Sequence, residues 1–506
     1  MKSPVLSLDH ISKRFGETVA NDDISISLAR GEVLALLGEN GAGKTTLMNI
    51  LFGHYTPDTG SVTVEGKDLP LGRPRHAIAA GVGMVHQHFT LAPNLSVLEN
   101  VMCGTESLWR ARSSRATGRA RLAALSERFG LTADPDAMVS DLSVGERQRV
   151  EILKALYNEA RILILDEPSG VLTRPEAEKL FETLRGMARE GLSIIFISHK
   201  LGEVMAAADR VVILRGGRVA AERLTSETSK EELAELMVGR RVERPIRESR
   251  EMGAPVVVAE GIDVEEGGVK RLDGVGFTLH EGEVLGIIGV SGNGQTALAR
   301  LLSGLARPTR GRLTLDGAEA GGLSPSELIS RGVGRIPEDR NTEGAVGDFP
   351  LWQNAVLERL HEARFARAGF VKAAAAKAFC AEVIGRFDVR GGGPETQTRL
   401  LSGGNMQKLI FGRNLIAAPR VLIAAQPTRG LDEGAIAAVQ ADILDARSKG
   451  CAVVLITEDL DEALALSDRV RAIVQGRLSP PVATEGLDAQ RLGLMMAGEW
   501  EGLDAV

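Results

Sequence analysis

The chain contains an internal duplication, and this feature constrains its fold more than any other. Residues 31–38 read GEVLALLG and residues 282–289 read GEVLGIIG, an offset of 251 residues. From Leu142 and Leu401 onward the offset is 259 residues, so the step of eight predicts one insertion in the middle of the second copy. A period near half of the 506 residues indicates two homologous domains and not a solenoid of short repeats.

The expected domain boundary lies where the duplicated pattern lapses. Residues 240–251 carry alternating charges and include Pro245, a composition typical of a short solvated connector. The sequence therefore predicts three segments: a first domain over 1–242, a charged linker over 243–254 and a second domain over 255–506.

Composition indicates a globular protein that neither crosses a membrane nor wraps nucleic acid. Sixty Lys and Arg oppose 67 Asp and Glu, a net charge of −7, which disfavours a basic nucleic-acid surface. The longest apolar run, residues 451–456, is far shorter than the roughly 18 residues of a membrane helix. Residues 1–11 do not resemble a signal peptide, so a cytoplasmic location is expected. Cys103, Cys380 and Cys451 form no CxxC pair, and we expect them to be buried small hydrophobes.

Each half has the pattern of an α/β domain. In the first half we expect strands at 33–37, 162–165 and 193–197 and a helix at 44–52. Short apolar runs followed by helical stretches indicate a mainly parallel sheet covered on both faces. Residues 100–137, rich in Arg, Ala and Leu, are expected to form a helical lobe.

A phosphate-binding loop follows the strand at 33–37. The segment GENGAGKT fits GxxxxGK[ST] between an apolar strand and a helix, which is the context this motif requires. Glycines let backbone N–H groups surround phosphate oxygens, the lysine reaches the terminal phosphates and the threonine binds Mg²⁺. The candidate residues are Gly38, Glu39, Asn40, Gly41, Ala42, Gly43, Lys44, Thr45 and Thr46.

A second group of candidates ends the strand at 162–165. Asp166 and Glu167 stand at its carboxyl end, where open parallel sheets place their ligands. Asp166 is expected to hold Mg²⁺, and Glu167 to accept the proton of an attacking water. An acidic pair without a task is the alternative, and the nearby phosphate loop weighs against it.

Two further segments resemble the signature of ATP-binding-cassette (ABC) ATPases. Residues 401–407 read LSGGNMQ and residues 142–148 read LSVGERQ. The resemblance covers essentially the whole chain. It implies two P-loop NTPase domains, each with a mainly parallel sheet, an antiparallel subdomain and a helical lobe, and it implies ATP and Mg²⁺ as cofactors.

The resemblance assigns three more residues in the first half. Phe15 matches the aromatic residue that stacks on adenine, Gln87 the switch-loop glutamine that also contacts Mg²⁺, and His199 the γ-phosphate histidine. Taken alone, Phe15 reads as a core residue and His199 as a hydrogen-bonded strand-end residue. His86 and His88 flank Gln87, but two histidines without a third ligand are weak evidence for a metal site.

The second copy has lost the groups that hydrolysis needs. Glutamine replaces lysine in its phosphate loop, alanine and glutamine replace the two carboxylates, and glutamate replaces both the histidine and, at Glu266, the aromatic residue. Losing a general base alone costs about 10²- to 10⁴-fold in rate. This degenerate second site comprises Gly289, Gly292, Gly294, Gln295, Thr296, Glu338, Ala425, Gln426 and Glu458.

The signature motifs show the opposite distribution. The first copy has Val144 where the second has Gly403, and Thr173 where the second has Asp432. In the family, two domains face each other head to tail, so each ATP contacts one domain's loop and the other's signature. The resemblance therefore implies that ATP at the first loop is completed by Ser402, Gly403, Gly404 and Gln407.

The tandem form with a degenerate second site resembles the energising subunit of importers for simple sugars and nucleosides. The motifs GVSGNGQT and AAQPTRGLD, and the segment MVHQHF, favour the nucleoside branch, with the sugar branch as the alternative. The implied partners are membrane permease subunits and an extracytoplasmic solute-binding protein, and the implied location is the cytoplasmic face of the inner membrane. A tandem cassette protein that acts on ribosomes is the other alternative, although its long charged helical linker is missing here.

Overall fold

The computed structural model describes residues 4–86, 89–105, 114–170, 172, 174–198, 200–239, 241 and 245–500. The chain divides into two compact units, Met1–Val242 and Glu243–Val506. None of the helices in these described ranges is long and apolar enough to span a bilayer.

The first unit alternates strands with helices. Its strands are β1 Pro4–Phe15, β2 Thr18–Ala29, β3 Val33–Leu37, β4 Thr59–Val64, β5 Lys67–Asp68, β6 Val82–Val85, β7 Ile162–Asp166, β8 Ser193–Ile197, β9 Arg210–Arg215 and β10 Arg218–Leu224. Its α-helices are α1 Lys44–Phe52, α2 Pro74–Ala79, α3 Val97–Met102, α4 Arg115–Phe129, α5 Val144–Tyr157, α6 Arg174–Arg189, α7 Leu201–Ala207 and α8 Lys230–Val238.

Two sheets make up this unit, as expected. The first has the order β2-β1-β4-β5 with antiparallel pairing. The second has the order β10-β9-β3-β8-β7-β6 and is parallel except for β10. Every residue of β3, β7 and β8 is buried, because packed side chains cover both faces of this sheet. The carboxyl ends of these strands therefore form the edge at which ligands of parallel sheets bind.

The second unit repeats this order of elements. Its strands are β11 Pro255–Glu266, β12 Val269–His280, β13 Val284–Ile288, β14 Arg310–Leu315, β15 Ala318–Glu319, β16 Val333–Ile336, β17 Ala366–Arg367, β18 Phe370–Val371, β19 Val421–Ala425, β20 Ala452–Thr457, β21 Arg469–Val474, β22 Arg477–Leu478 and β23 Val482–Ala483. Its α-helices are α9 Gln295–Leu302, α10 Pro325–Ser330, α11 Leu351–Val356, α12 Ala373–Arg386, α13 Gly403–Leu415, α14 Glu433–Ser448, α15 Leu460–Leu466 and α16 Ala489–Met496.

The sheets of the second unit have the same topology as those of the first. The antiparallel sheet has the order β12-β11-β14-β15. The other sheet has the order β16-β19-β20-β13-β21-β22, with β23 paired to β21. The prediction of an α/β fold with two tandem domains, each with a mainly parallel sheet and an antiparallel sheet, is confirmed.

The eight extra residues of the second copy form two insertions, so the prediction of one was wrong. Asn100 on α3 bonds both backbone groups of Ala92, and Asn354 on α11 does the same to Val346. Both pairs are offset by 254 residues, so three extra residues precede Val346. The remaining five fall before the signature, in the segment that holds the β17–β18 hairpin.

Two smaller predictions also need correction. Cys380 and Cys451 are buried as expected, but Cys103 is exposed, because it follows the last residue of α3. The connector is not wholly solvated, since Arg247 forms an ion pair at 3.0 Å with Asp468, whose side chain is largely buried. That carboxylate also binds Arg447, so the end of the connector is anchored to the second unit.

Candidate functional site

The loop between β3 and α1 has a backbone that requires glycine. Gly38, Gly41 and Gly43 have φ of 151°, 86° and 96°, values that side-chain-bearing residues rarely adopt. A Cβ on Gly38 would lie 2.4 Å from the carbonyl oxygen of Leu214, and one on Gly43 would lie 2.2 Å from that of Ala20. The loop therefore has no room for other residues at these two positions.

Lys44 is buried within this loop and points back along it. Its Nζ donates hydrogen bonds to the carbonyl oxygens of Gly38 at 2.6 Å and Glu39 at 3.0 Å. These bonds hold the ammonium group inside the concave side of the loop, next to the N-terminus of α1. A lysine and a helix N-terminus at one position form an anion site.

The carboxylates at the end of β7 lie beside the loop. Burial raises the pKa of Asp166 to about 6 and the charge of Glu167 adds to the rise, whereas Lys44 and a hydrogen bond from Thr45 oppose it. The sheet edge therefore brings together the lysine, the threonine and both carboxylates. Crowded, partly desolvated acidic groups of this kind are typical of functional sites.

Glu167 has a strained backbone. Its φ is 48°, in the left-handed region, and its N–H donates to the carbonyl oxygen of Ile197 on β8 at 3.0 Å. Such a conformation costs a non-glycine residue about 1–3 kcal/mol, and residues held in this way cluster at active sites. The hydrogen bond to β8 fixes the strand end, so the direction of the side chain is set by the sheet.

Phe15 ends β1 with 44% of its surface exposed. Its ring packs edge to face on Tyr55, with 5.4 Å between centroids, and Lys13 lies 5.6 Å from the ring centre. This is an accessible aromatic surface and not a core position. An exposed ring beside a lysine suits a flat base attached to phosphates.

Asn21 supports the loop, and sequence reasoning missed it. This buried residue of β2 donates from Nδ2 to the carbonyl oxygen of Gly43 at 3.0 Å. It ties the antiparallel sheet to the last turn of the phosphate loop. Its only sequence signal is an asparagine within an otherwise alternating strand, which is too weak to single it out.

Several predicted positions lie outside the described residues: Gln87, His88, Thr173 and His199. His86 is described, and burial and the nearby His54 lower its pKa. Among the described residues no group of three His, Cys, Asp or Glu side chains is placed to hold a metal ion.

The second phosphate loop keeps the fold but has a neutral side chain at its centre. Gly292 and Gly294 have φ of 89° and 119°. Gln295 is buried and donates from Nε2 to the carbonyl oxygen of Val290 at 2.8 Å. Its Oε1 has no hydrogen-bond partner among the described residues. This loop therefore has no ammonium group where Lys44 provides one in the first unit.

Acidic side chains lie near this second loop. Burial raises the pKa of Glu458, Glu338 adds to the rise, and Arg429 and Ser291 oppose it. Arg429 forms an ion pair with Glu338 at 2.6 Å. Gln426 has φ of 48°, like Glu167. The backbone at the position of Glu167 is thus preserved in the second unit, while the side chain there is an amide.

The two signature segments begin helices. Ser402 caps α13, with its hydroxyl facing Asn405, and Ser143 caps α5 in a capping box with Glu146. Ser402 is exposed and Gly403 and Gly404 are partly exposed, whereas Gln407 is buried and donates to the carbonyl oxygen of Pro427 at 3.0 Å. The exposed part of the second signature is therefore a serine and two glycines at a helix N-terminus.

In the first unit, a glycine-rich loop with a buried lysine, acidic residues at the end of β7 and a serine-capped helix define a P-loop ATPase of the cassette type. The second unit repeats the fold without the lysine and the acidic pair. The family described as ABC transporter matches residues 21–170 and again residues 272–429. The chain belongs to the ABC transporter family, and it is an ATPase.

Two relatives match over nearly their full length. The glucose import ATP-binding protein TsgD13 of Haloferax volcanii is 42% identical, covering 98% of this chain and 96% of that protein. The nucleoside import ATP-binding protein NupA of Lactococcus lactis is 39% identical, covering 98% of each.

One solved structure matches both halves. It is the archaeal ribosome recycling factor aABCE1, solved in complex with the ribosomal stalk protein aP1. Its TM-score is 0.64 at 19% identity, covering 97% of this chain and 92% of that one. At that identity the likeness shows the shared fold alone.

Proposed function

We propose that the first unit is the hydrolytic site of an importer ATPase and that Glu167 is its general base. The supporting observation is the meeting of Lys44, Thr45, Asp166 and Glu167 at one sheet edge, with the pKa of Asp166 raised by burial and by Glu167. Lys44 and the loop N–H groups bind the phosphates, and Phe15 stacks on adenine. Gln87 and His199 take the switch and γ-phosphate roles that the family motif gives them.

We propose Mg²⁺ as the cofactor, held by Thr45, Asp166 and Gln87. A hydroxyl, a carboxylate and an amide carbonyl are the oxygen ligands that this ion prefers. The hydroxyl of Thr45 hydrogen bonds to Asp166, so the two oxygens are neighbours. Bound Mg²⁺ supplies positive charge against the phosphates, while these residues orient it.

We propose that the second unit keeps the fold of a nucleotide site but does not hydrolyse ATP. Gln295 lacks the charge of a lysine, Ala425 cannot bind a metal and Gln426 cannot accept a proton. Glu458 and Glu338 share one cation, Arg429, so the group keeps an excess negative charge when both carboxylates are ionised, which opposes the binding of a γ-phosphate.

We also propose that ATP on the first loop is completed by the second unit's Ser402, Gly403 and Gly404, with Gln407 holding this signature from within. The support is the distribution of residues: the intact signature and Asp432 belong to the copy with the degenerate loop. A helix N-terminus with exposed glycines offers backbone N–H groups to an anion.

The proposed task is nucleoside import, powered by closure on a membrane permease. Membrane permease partners follow from import ATP-binding relatives. A solute-binding protein outside the membrane and peripheral attachment to the cytoplasmic face complete the proposal. Sugar import is the second candidate, since one of these relatives is a glucose import protein.

The catalytic assignment is tested by exchanging equivalent residues of the two halves. Glu167→Gln should abolish steady-state ATPase activity, because an amide accepts no proton, while Gln426→Ala should leave most of it. Both variants should still bind ATP. Equal losses of activity would contradict the assignment of the first unit as the hydrolytic site.

The solute is tested on the complex with its permease in vesicles. ATPase activity is measured against a panel of nucleosides and simple sugars with the binding protein present. Stimulation by nucleosides supports the first candidate and stimulation by sugars the second. Purification with ribosomes and not with membranes would overturn both.

A further inference from the structure

Glu203 on α7 joins two segments that border the hydrolytic site. Its Oε2 accepts a hydrogen bond from the hydroxyl of Ser169 at 2.6 Å and another from the hydroxyl of Ser198 at 3.1 Å. Ser169 is two residues after Glu167, and Ser198 immediately precedes His199 in the sequence. Both serines are almost fully buried, so water does not compete for these bonds.

Lys200 completes the connection. Its Nζ lies 3.4 Å from Oε1 of Glu203 and donates to the carbonyl oxygen of Ser169 at 3.3 Å. Its backbone N–H donates to the hydroxyl of Ser198 at 3.0 Å. One carboxylate oxygen thus accepts hydrogen bonds from two hydroxyls while the other faces an ammonium group. A carboxylate suits this position because it is an acceptor only, and charge-assisted hydrogen bonds are the stronger ones.

The second unit contains the same glutamate without the cation. Glu462 hydrogen bonds to Thr428 at 2.8 Å and to Thr457, the equivalents of the two serines. Asp459 stands where Lys200 stands in the first unit, and it caps α15 instead. One oxygen of Glu462 has no hydrogen-bond partner among the described residues. The unit that lost the catalytic groups therefore also lacks the cationic part of this connection.

We propose that Glu203 is a positioning residue of the ATPase, which holds the segment after Glu167 and the segment that carries His199 at a fixed separation. This inference rests on the catalytic roles proposed above for these two residues. Glu203 acts through Ser169, Ser198 and Lys200 and touches no substrate. A general base displaced by about 1 Å loses on the order of a hundredfold in rate. Loss of the contacts of Glu203 should therefore lower kcat, while the affinity for ATP, which depends on the phosphate loop, stays unchanged.

The experiment measures kcat and KM for ATP in the full chain with Glu203→Ala, and with Glu462→Ala as the matched control. Glu203→Ala should lower kcat by about tenfold or more and change KM by less than about twofold. Glu203→Gln keeps one oxygen for both hydroxyls but loses the ion pair with Lys200, so it should recover part of kcat and lie between Glu203→Ala and the wild type. Glu462→Ala removes the same contacts from the other unit and should leave kcat within about twofold.

Two results would overturn the proposal: wild-type kcat in Glu203→Ala, or equal losses from Glu203→Ala and Glu462→Ala. If Glu203→Ala does not fold, the double variant Ser169→Ala/Ser198→Ala removes both hydroxyl bonds and keeps the ion pair. It should show the same loss of kcat, and unchanged kcat there would also overturn the proposal. Glu167→Gln is assayed alongside, since activity in that variant would refute the catalytic assignment and not the connection.

Discussion

The stability of the second unit should depend on the protonation of Glu462. Burial raises the pKa of this carboxyl group from 4.5 to about 7, against the hydrogen bonds from Thr457 and Thr428. Because the folded pKa lies above the unfolded one, the folded state binds the proton more tightly. The stability that this group contributes is therefore full below about pH 4.5 and is lost as the pH rises to about 7 and beyond.

The size of the effect follows from the shift. Each pKa unit corresponds to about 1.4 kcal/mol, so the total is about 3 kcal/mol, of which about 2 to 2.5 kcal/mol is lost between pH 5 and pH 8. Glu462→Gln keeps the size of the side chain and removes the titration. The unfolding free energy of the variant, minus that of the wild type, should therefore rise by about 2 kcal/mol from pH 5 to pH 8.

The assay is urea unfolding followed by tryptophan fluorescence in a Trp109→Phe background, where the remaining Trp352 and Trp500 both lie in the second unit. Glu462→Gln also changes the hydrogen bonds to Thr428 and Thr457. The part of that free-energy change that does not depend on pH is the same at pH 5 and pH 8, so it cancels when the two differences between variant and wild type are subtracted. Glu382→Gln, at an exposed position of α12, is the control. A difference between variant and wild type that is the same at both pH values would refute this reasoning.

Two further predictions concern the phosphate loop and the connector. Gly43→Ala should weaken ATP binding at least about tenfold in a binding titration, because the new Cβ would lie 2.2 Å from the carbonyl oxygen of Ala20. Gly41→Ala is the control and should weaken binding less, because its Cβ would meet no heavy atom of the described residues within 4 Å. Equal effects of the two substitutions would contradict the steric argument. Arg447→Met should destabilise the second unit by about 1.5 to 3 kcal/mol in urea unfolding, because the largely buried Asp468 loses its 2.6 Å partner but keeps Arg247. An unchanged midpoint would contradict this.

The sequence predicted the elements that carry the site because their signals are local. The strands at 33–37 and 193–197 and the helix at 44–52 have the predicted bounds. An all-apolar run of five residues is typical of a strand buried on both faces, and a glycine loop with lysine marks the start of the following helix. The lobe was predicted less well: among the described residues of 100–137, only the end of α3 and the helix α4 are α-helical, and residues 103–105 and 130–137 are not.

The residues that the sequence did not reveal act through contacts distant in the chain. Asn21 reaches Gly43 from another sheet, and Glu203 reaches Ser169 over 34 positions. A single polar residue in a strand or helix gives no period or motif, so only the folded structure shows what it bonds. A sequence motif identifies functional residues that lie close together in the chain. Residues that support them from distant positions are recognised only by the hydrogen bonds that they form in the folded structure.

Glu167 and Gln426 have the same left-handed backbone conformation but side chains of different chemistry. Both residues have φ of 48°, and each donates its N–H to the neighbouring strand, to Ile197 at 3.0 Å and to Ile456 at 2.7 Å. Both units therefore keep this backbone, whether the side chain is a base or an amide. The strain at Glu167 is therefore no proof of catalysis, since the same strain accompanies a residue that cannot accept a proton. What distinguishes the two units is the side chain that the shared backbone presents, and this is why exchanging Glu167 for glutamine is the decisive perturbation.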